Sequence, residues 1–345
     1  MRKTKRKLEP SEKLMAEARK ITENEGAQGW NLAKETLLHQ KTQSSQLKEA
    51  ITYAAILPDY FRPAIVSFCS KAVGGKSKTT IPCGASLILL GKAIGIHDDI
   101  IDNLRIRNKR PTLFGKFGKE IALIISDILL FKGFTLMRKN IEAGVPQSAT
   151  AEILDTIDKF WFQQSESEIL EMRSRRQTSI TPQECLDKIR MRASELDATT
   201  RIGGILGGGS EKEIEALGTY GRLLGMASIL RDELVDMLEL DALRNRIKHE
   251  SLPLPLVYAM QNTKLKFEIT QIASKKQFSN KTLLGISKAV DEFGGMNFVA
   301  EIIEKIAYEA HSSIDIFKSR NKELGLLATS AIIYPAEWKS VLRAM

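Results

Sequence analysis

Three aspartates follow an apolar segment in the first third of the chain. Asp98, Asp99 and Asp102 lie at offsets of three and four residues, which places Asp102 one helical turn from both partners. Residues 85–96 before them are apolar on nearly every side, as expected for a helix inside a protein. Carboxylates crowded on a buried helix repel one another and are costly to desolvate, and a divalent cation reverses that effect. The spacing therefore indicates a metal site.

A second acidic group lies further along the chain. Asp232, Glu233 and Asp236 repeat the one-turn spacing beside another apolar run. If the two helices face each other, the carboxylates line one cavity, and oxygen ligands at that density suit Mg²⁺. Either group alone could equally be a solvated acidic helix end, because short motifs give false positives. The matched pair, each with basic residues nearby, favours the metal site.

The paired groups resemble the two aspartate-rich motifs of the polyprenyl synthetases, the trans-isoprenyl diphosphate synthases. Asp98, Asp99 and Asp102 match the first motif, DDxxD, and the second group matches with one conservative change. The resemblance extends from about Leu57 to Tyr258. It implies that both groups hold Mg²⁺, about three ions once a diphosphate is bound. The metals would grip an allylic polyprenyl diphosphate and help pyrophosphate to leave, since that leaving group needs concentrated positive charge.

The resemblance also assigns basic residues to the allylic diphosphate. Arg107 matches the first arginine of the family's segment after the first aspartates, and Arg192 stands where a lysine is usual. Arg231 directly precedes the second acidic group. Either Lys248 or His249 takes the place of a later lysine, because repeated Leu-Pro pairs leave the register open. Any of these residues could instead be a surface charge.

The residues one turn before Asp98 bear on substrate length. They are Ala93 and Ile94, and in the family bulky aromatics near this position form the floor of the cavity for the isoprenoid tail. A small Ala93 leaves no such plug. We therefore expect an allylic substrate of the geranylgeranyl class (C20) or longer.

The positions that the family uses for its second substrate, isopentenyl diphosphate, differ in this chain. In the family's Gly-Lys-Arg-x-Arg-Pro loop, Arg62 is the one basic residue retained, and Asp59 replaces the lysine. Gly91 replaces a His or Gln donor, and Asn108 replaces a second arginine. A carboxylate a few ångströms from a diphosphate repels it by about 1–4 kcal/mol. The sequence therefore predicts that this second site, as the family builds it, is lost.

This asymmetry favours an enzyme that ionises an allylic diphosphate without isopentenyl diphosphate. The cation would then cyclise, lose a proton or capture water, which is the chemistry of a class I terpene synthase. Two alternatives stay open. One is an elongating trans-prenyltransferase with a rebuilt pocket that uses Arg62 and Arg105. The other is a non-catalytic partner subunit of a prenyltransferase, against which the six intact carboxylates argue.

Composition narrows the class of partner. The formal charge of +9 admits polyanions, including a diphosphate or peripheral contact with an anionic membrane. Aromatic residues make up only 6%, which argues against a stacking platform for nucleic acid. Part of the charge lies in residues 1–10, which we expect to be a disordered basic tail. The cysteines, few and widely spaced, favour a reducing cytoplasm.

The remaining pattern predicts an all-α fold, an orthogonal helical bundle of the isoprenoid-synthase type with a central cavity, in a single domain at 11–345. Neither apolar run, 85–96 or 121–131, reaches the roughly 18 residues needed to span a bilayer. No period-two strand pattern is found. The family resemblance further implies a homodimer. The predicted helices include 11–25, 31–40, 47–56, 117–140, 147–172, 182–202 and 211–240.

Overall fold

The computed structural model describes residues 10–107, 109–175, 177–273 and 278–344. The predicted disordered tail falls mostly on residues 1–9, which lie outside the described residues. The elements are, in chain order, α1 Pro10–Leu38, α2 Ser45–Ala54, α3 Phe61–Ala72, α4 Ser77–Ile101, β1 Ile106–Arg107, β2 Arg110–Pro111, α5 Leu113–Phe117, α6 Lys119–Glu142, α7 Gln147–Ser174, α8 Pro182–Arg192, α9 Ser194–Leu206, α10 Glu211–Asp236, α11 Leu240–His249, α12 Leu254–Ala259, α13 Thr263–Ala273, α14 Asn280–Glu292, α15 Gly295–Ser313, the 3₁₀ helix Asp315–Arg320, α16 Lys322–Ser330 and α17 Pro335–Ala344.

The all-α prediction is confirmed, and the sheet structure in the described residues is one short hairpin. Strands β1 and β2 pair antiparallel, with Arg107 opposite Arg110. The hairpin follows the first aspartates directly and was not predicted, because two-residue strands carry no period-two signal. It brings Arg107 back towards the end of α4.

Helix α1 is continuous through Gly26 and Gly29, so the two short helices predicted on either side of these glycines are wrong. A Cβ on Gly26 would lie 2.1 Å from the carbonyl oxygen of Tyr60, and a Cβ on Gly29 would lie 2.6 Å from the Cβ of Pro63. The glycines therefore let α1 approach the start of α3 closely. They do not end a helix.

Helix α4 is the central helix that carries the first aspartates. It packs against α1, α3 and α6. Ser86 donates a hydrogen bond to the carbonyl oxygen of Gly133 on α6 at 2.6 Å, where the two backbones come close. By length and composition α4 could cross a membrane, but 72% of its most apolar window is buried inside the protein. Its apolar surface therefore belongs to the protein core.

Helix α10 carries the second acidic group and packs against α9 and α15. It begins at a capping box formed by Ser210 and Glu213. The predicted helix at 182–202 is divided at Ala193, whose ψ near 0° ends α8 before α9 begins. One apolar cluster joins α4 to α1, α2, α5 and α6, and another joins α10 to α8 and α11–α15. Each acidic group is thus anchored in its own core.

Candidate active site

The aspartates of the first group have three different environments. Asp99 is buried and accepts a hydrogen bond from Arg107 Nη2 at 2.8 Å. Asp102, at the C-terminal end of α4, accepts a hydrogen bond from Arg175 Nη2 at 2.6 Å. Within the described residues, the carboxylate of Asp98 has no hydrogen bond or ion pair. Two of the three carboxylates are thus neutralised by arginines, and Asp98 is left for another cation.

The charge state of this group reflects its burial. Burial raises the pKa of Asp98 to about 7; the carboxylate of Glu168 adds to this rise, while Arg192 opposes it. Burial also raises the pKa of Asp102 to about 7, with Glu250 adding and Arg175 opposing. Carboxylates that resist ionisation in this way are short of positive charge, which a divalent cation would supply.

The aspartates of the second group also divide into one that is paired with an arginine and one that is not. Asp236 Oδ2 accepts a hydrogen bond from Arg246 Nε at 2.8 Å. Asp232 has no such partner among the described residues; its side chain reaches solvent, and partial desolvation, followed by the charge of Asp236, raises its pKa. Each group therefore presents one unpaired carboxylate, Asp98 on α4 and Asp232 on α10.

Glu233 is placed differently from the metal-ligand position predicted for it. Its side chain is only 4% exposed, and Oε2 accepts the backbone N–H of Leu254 at 2.8 Å. Leu254 is the first residue of α12, where backbone donors lack intrahelical partners. The carboxylate of Glu233 is therefore engaged in capping α12, and its role as a metal ligand stays a prediction.

One cation connects the two groups. Arg192, the last residue of α8, lowers the pKa of both Asp98 and Asp232 against the larger effect of burial. Its charge thus acts on the unpaired carboxylate of each helix. Contacts through α7 join the groups as well: Arg175, after this helix, holds Asp102, and Glu171 on it accepts a hydrogen bond from Ser251. The preceding residue, Glu250, shares Arg246 with Asp236, so the two acidic groups border one site.

Helix α7 contributes acidic residues that the sequence analysis missed. Glu168 lies close enough to raise the pKa of Asp98 and Asp102. Glu171 is 8% exposed, accepts a hydrogen bond from Ser251 and lies 3.8 Å from Lys188 Nζ. The three-residue spacing of these glutamates, with an arginine four residues later, is the signal that could have identified them.

Arginines that the sequence analysis did not assign hold the motif carboxylates. Arg175 on the segment after α7 binds Asp102 and also donates to the carbonyl oxygen of Ile101 at 3.2 Å. Arg246 on α11 is 8% exposed and contacts both Asp236 and Glu250, the latter at 3.1 Å. Arg175 lies 73 positions from Asp102. Arg246 lies 10 positions from Asp236 and on the next helix, so neither arginine belongs to a contiguous acidic motif.

Two of the predicted basic residues are directed elsewhere. Arg231 Nη1 donates to the carbonyl oxygens of Ala331 and Ile332 at 3.4 and 3.2 Å, and burial lowers its pKa. Lys248 Nζ lies over the ring of Phe278, 5.4 Å from its centroid. Their positions give no support to a role at the diphosphate. Arg107 and Arg192 are the predicted cations that the structure brings to the site.

A small apolar cavity lies beside α4. The two residues predicted to contact the isoprenoid tail, Ala93 and Ile94, are placed differently with respect to this cavity. Ile94 lines the cavity, whereas Ala93 is fully buried and its carbonyl oxygen accepts a hydrogen bond from Ser126 on α6 at 3.0 Å. The cavity measures about 10 Å³, roughly the room for one water. An isoprenoid chain would enter only if wall side chains moved. The lining residues are Arg62, Leu87, Leu90, Gly91, Ile94, Ile157, Phe160, Glu195, Ala198, Thr199 and Ile202.

Arg62 closes the polar end of this cavity. Its guanidinium is held by Asp59 on one side, and Nε donates to Glu195 Oε1 at 2.6 Å on the other. A Cβ on Gly91 would lie 2.4 Å from Arg62 Nε, so the glycine lets the guanidinium rest on the backbone of α4. Asn108, the remaining position predicted to weaken the second diphosphate site, lies outside the described residues.

The donor set fits Mg²⁺ that arrives together with a diphosphate. Among the described residues, no three His, Cys, Asp or Glu side chains converge closely enough to hold a metal by themselves. Mg²⁺ keeps several waters and is usually bound by one or two carboxylates plus substrate phosphates. Asp98 and Asp232 are the unpaired carboxylates available for that role. Asp99, Asp102 and Asp236 would first have to exchange an arginine for the metal.

An all-α bundle with two acidic helices around a shared site defines the class of isoprenoid synthases. A profile of the polyprenyl synthetase family matches residues 44–289, and the chain belongs to this family. A short chain isoprenyl diphosphate synthase of Methanothermobacter thermautotrophicus is 28% identical over 245 residues, which cover 70% of each chain. A geranylgeranyl diphosphate synthase of Methanosarcina mazei is 29% identical over 192 residues, 55% of this chain and 58% of that one.

The fold has a close counterpart among solved structures. A geranylgeranyl pyrophosphate synthetase of Pyrococcus horikoshii superposes with a TM-score of 0.81 at 22% identity, covering 94% of this chain and 100% of that one. The predicted family and the isoprenoid-synthase type of fold are therefore confirmed. So is the predicted class of enzyme, a terpene synthase or prenyltransferase.

Proposed function

We propose that this protein is a Mg²⁺-dependent trans-prenyltransferase that joins an allylic diphosphate to isopentenyl diphosphate. The observation that carries the proposal is that contacts through α7 join the two acidic groups. Arg175, after α7, holds Asp102, and Glu171 on α7 accepts a hydrogen bond from Ser251. Arg246 holds both Asp236 and Glu250, the residue before Ser251, so both acidic helices border one site. The relatives reported above are named as synthases of isoprenyl diphosphates. The names of these relatives favour a prenyltransferase over the terpene synthase that the sequence favoured.

In the proposed reaction the C–O bond of the allylic diphosphate breaks and its electron pair leaves with pyrophosphate. The double bond of isopentenyl diphosphate then forms the new C–C bond, and loss of a proton restores an alkene. Bound Mg²⁺ would neutralise the leaving group. Asp98 and Asp232 would hold the metal, while Arg107 and Arg192 would contact the diphosphate and Arg175 and Arg246 would position the carboxylates. The proposed substrate length, C20 or longer, requires the cavity walls to open.

A class I terpene synthase is the second candidate, and one contact favours it. Arg62, the one basic residue retained from the family's second diphosphate site, is engaged by Asp59 and Glu195. A site with one cation and two carboxylates has a net negative charge and repels a diphosphate. An allylic cation formed there without isopentenyl diphosphate would have to lose a proton, cyclise or capture water.

The test is turnover of purified protein with Mg²⁺ and allylic diphosphates of increasing length, with and without labelled isopentenyl diphosphate. A longer labelled diphosphate supports the prenyltransferase. Pyrophosphate and a hydrocarbon or terpene alcohol formed without isopentenyl diphosphate would instead identify a terpene synthase. No turnover in either assay, with intact fold, would favour a non-catalytic partner subunit.

We also propose that the protein forms a homodimer through α6 and α7. Both helices carry large apolar side chains in solvent, and Phe131 and Phe162 are 74% and 72% exposed. Apolar exposure of this extent is typical of interaction surfaces. Light scattering of Phe131→Glu beside the unaltered protein tests the proposal: a dimer should become a monomer. The exposed apolar residues of the two helices include Leu123, Ile124, Phe131, Phe134, Ile141, Leu154, Phe162, Ile169 and Met172.

A further inference from the structure

The ion-pair cluster around Arg62 contains more negative than positive charge. Arg62 contacts Asp59 through its guanidinium and through its backbone N–H, which donates to Asp59 Oδ1 at 3.2 Å. Glu195 accepts from the opposite edge at 2.6 Å. Burial acts to lower the pKa of Arg62, but Glu195 and Asp59 outweigh it and hold the pKa above its ordinary value. Arg62 therefore stays charged, and a carboxylate occupies each edge of its guanidinium.

The neighbouring cation, Lys92, is also engaged in hydrogen bonds. Lys92, the residue after Gly91 on α4, donates from Nζ to the carbonyl oxygens of Leu57 and Ala54 at 2.8 and 3.3 Å. Burial lowers its pKa to about 8. The ammonium group of Lys92 thus binds one carbonyl oxygen at the end of α2 and one in the segment that follows. Arg62 is the cation that lines the cavity beside α4.

The two carboxylates on Arg62 are not equally fixed. Asp59 has a short side chain that also accepts the backbone N–H of Arg62 at the start of α3. Glu195 has a longer side chain in the first turn of α9, and it is 32% exposed against 13% for Asp59. Glu195 also lines the cavity. An incoming anion would displace Glu195 first, and its displacement would widen the cavity.

Resting on the prenyltransferase function proposed above, we propose that Glu195 sets the affinity for the second substrate, isopentenyl diphosphate, by competing with it for Arg62. The diphosphate must break the Arg62–Glu195 contact before its oxygens reach the guanidinium. Glu195 is then a specificity-determining residue. It acts through Arg62, and its carboxylate weakens binding of one substrate while leaving the allylic site alone.

The experiment is steady-state kinetics of Glu195→Gln with both substrates varied. Glutamine keeps the length and the hydrogen-bond acceptor but removes the charge. We expect the KM for isopentenyl diphosphate to fall at least tenfold, while the KM for the allylic diphosphate changes less than twofold. Glu215→Gln is the matched control, since Glu215 accepts two hydrogen bonds from Arg201 at 2.6 and 2.9 Å, and Arg201 is likewise on α9. Its KM values should stay unchanged.

The outcomes separate this inference from the proposed function. An unchanged KM for isopentenyl diphosphate in Glu195→Gln, or an equal fall for both substrates, overturns the inference while leaving the prenyltransferase standing. If the unaltered protein makes only terpene products, incorporation of labelled isopentenyl diphosphate by Glu195→Gln supports the inference, and its absence overturns it. If neither protein releases pyrophosphate, the proposed function fails. Calorimetric titration with inorganic pyrophosphate in EDTA then tests whether an anion and Glu195 compete for Arg62. If they do, Glu195→Gln must bind pyrophosphate at least tenfold more tightly than the unaltered protein does.

Discussion

Arg246 and Asp236 form a buried ion pair in which 2.8 Å separates Nε from Oδ2. One turn earlier on the same helix, Asp232 lacks such a partner among the described residues. The first acidic group has the same division, because Arg175 holds Asp102 while Asp98 stands unpaired. In each group the protein supplies some positive charge itself and leaves one carboxylate for a cation that comes with the substrate.

Replacement of Arg246 by Met should strongly destabilise the protein. The change leaves Asp236 and Glu250 without their buried counter-ion, and breaking a buried pair in this way typically costs about 3–5 kcal/mol. Urea unfolding in EDTA measures the loss. Arg138→Met is the control, because its contact with Glu142 is exposed and long at 3.8 Å; a change of about 0.5 kcal/mol or less is expected there. Similar losses in the two variants would contradict the role assigned to Arg246.

Removal of either unpaired carboxylate should abolish catalysis but not folding. Asp98→Ala and Asp232→Ala each remove a carboxylate that we assign to the metal. We expect pyrophosphate release to fall by about 10²-fold or more, as for loss of a group that stabilises a developing charge. Asp241→Ala, a change at a side chain that is 98% exposed, should retain activity. Activity of Asp98→Ala at the level of the unaltered protein, or full activity in excess EDTA, would refute the metal site.

Glu233 should tolerate loss of its charge. Its contact is a hydrogen bond from the Leu254 N–H, which the amide oxygen of glutamine can also accept. Glu233→Gln should therefore keep turnover within about threefold and retain the fold. Glu233→Ala should lose about 1–3 kcal/mol of stability, because the buried N–H of Leu254 is left unsatisfied. A large loss of turnover in Glu233→Gln, with normal unfolding, would indicate that Glu233 is a metal ligand.

Stability without metal should fall as the pH rises. The pKa of Asp98 and of Asp102 is raised to about 7 in the folded protein from the ordinary value of 3.8. The folded state then binds more protons than the unfolded state between about pH 4 and 7, so the free energy of unfolding decreases across that window. The groups that face the two aspartates are Glu168, Glu171, Glu250, Arg107, Arg175 and Arg192.

The measurement is urea unfolding in EDTA at pH 5 and pH 8. Three pKa units correspond to about 4 kcal/mol for one group, and solvent reaches both carboxylates, so we expect about 1–3 kcal/mol less stability at pH 8. Asp98→Asn should remove a large part of that difference. An identical pH dependence in the variant would show that Asp98 is not responsible for it.

Substitutions at Ala93 and Ile94 should have different effects. Ala93 is fully buried against α6, so Ala93→Phe should destabilise the protein by about 1–3 kcal/mol through overpacking. Ile94 lines the cavity, so Ile94→Ala should shift preference towards longer allylic substrates with a smaller effect on folding. Product length and melting temperature are measured together. A shift in product length from Ala93→Phe at normal stability would indicate that Ala93 contacts the isoprenoid tail, as the sequence predicts.

The sequence alone determined the family, the all-α fold and the location of both acidic groups. Those conclusions depend on apolar periodicity and on one-turn spacing, which are local properties of a helix. Asp98 and Asp232 could be singled out with their neighbours because each group is contiguous. Several helix boundaries were likewise near their predicted places, but α1 runs unbroken through Gly26 and Gly29, and the helix predicted at 182–202 is divided at Ala193.

The tertiary structure decided which charges are already paired. Arg175 reaches Asp102 from the segment after α7, Arg246 reaches Asp236 from α11, and Glu195 reaches Arg62 across 133 positions of sequence. Glu233 and Asp232 are adjacent in sequence, but Glu233 is buried against α12 whereas Asp232 is exposed, because successive helical positions face directions about 100° apart. Ion pairing depends on distances of a few ångströms between distant segments. For that reason a sequence pattern can locate carboxylates on a helix, whereas only the folded chain shows which of them remain for a metal.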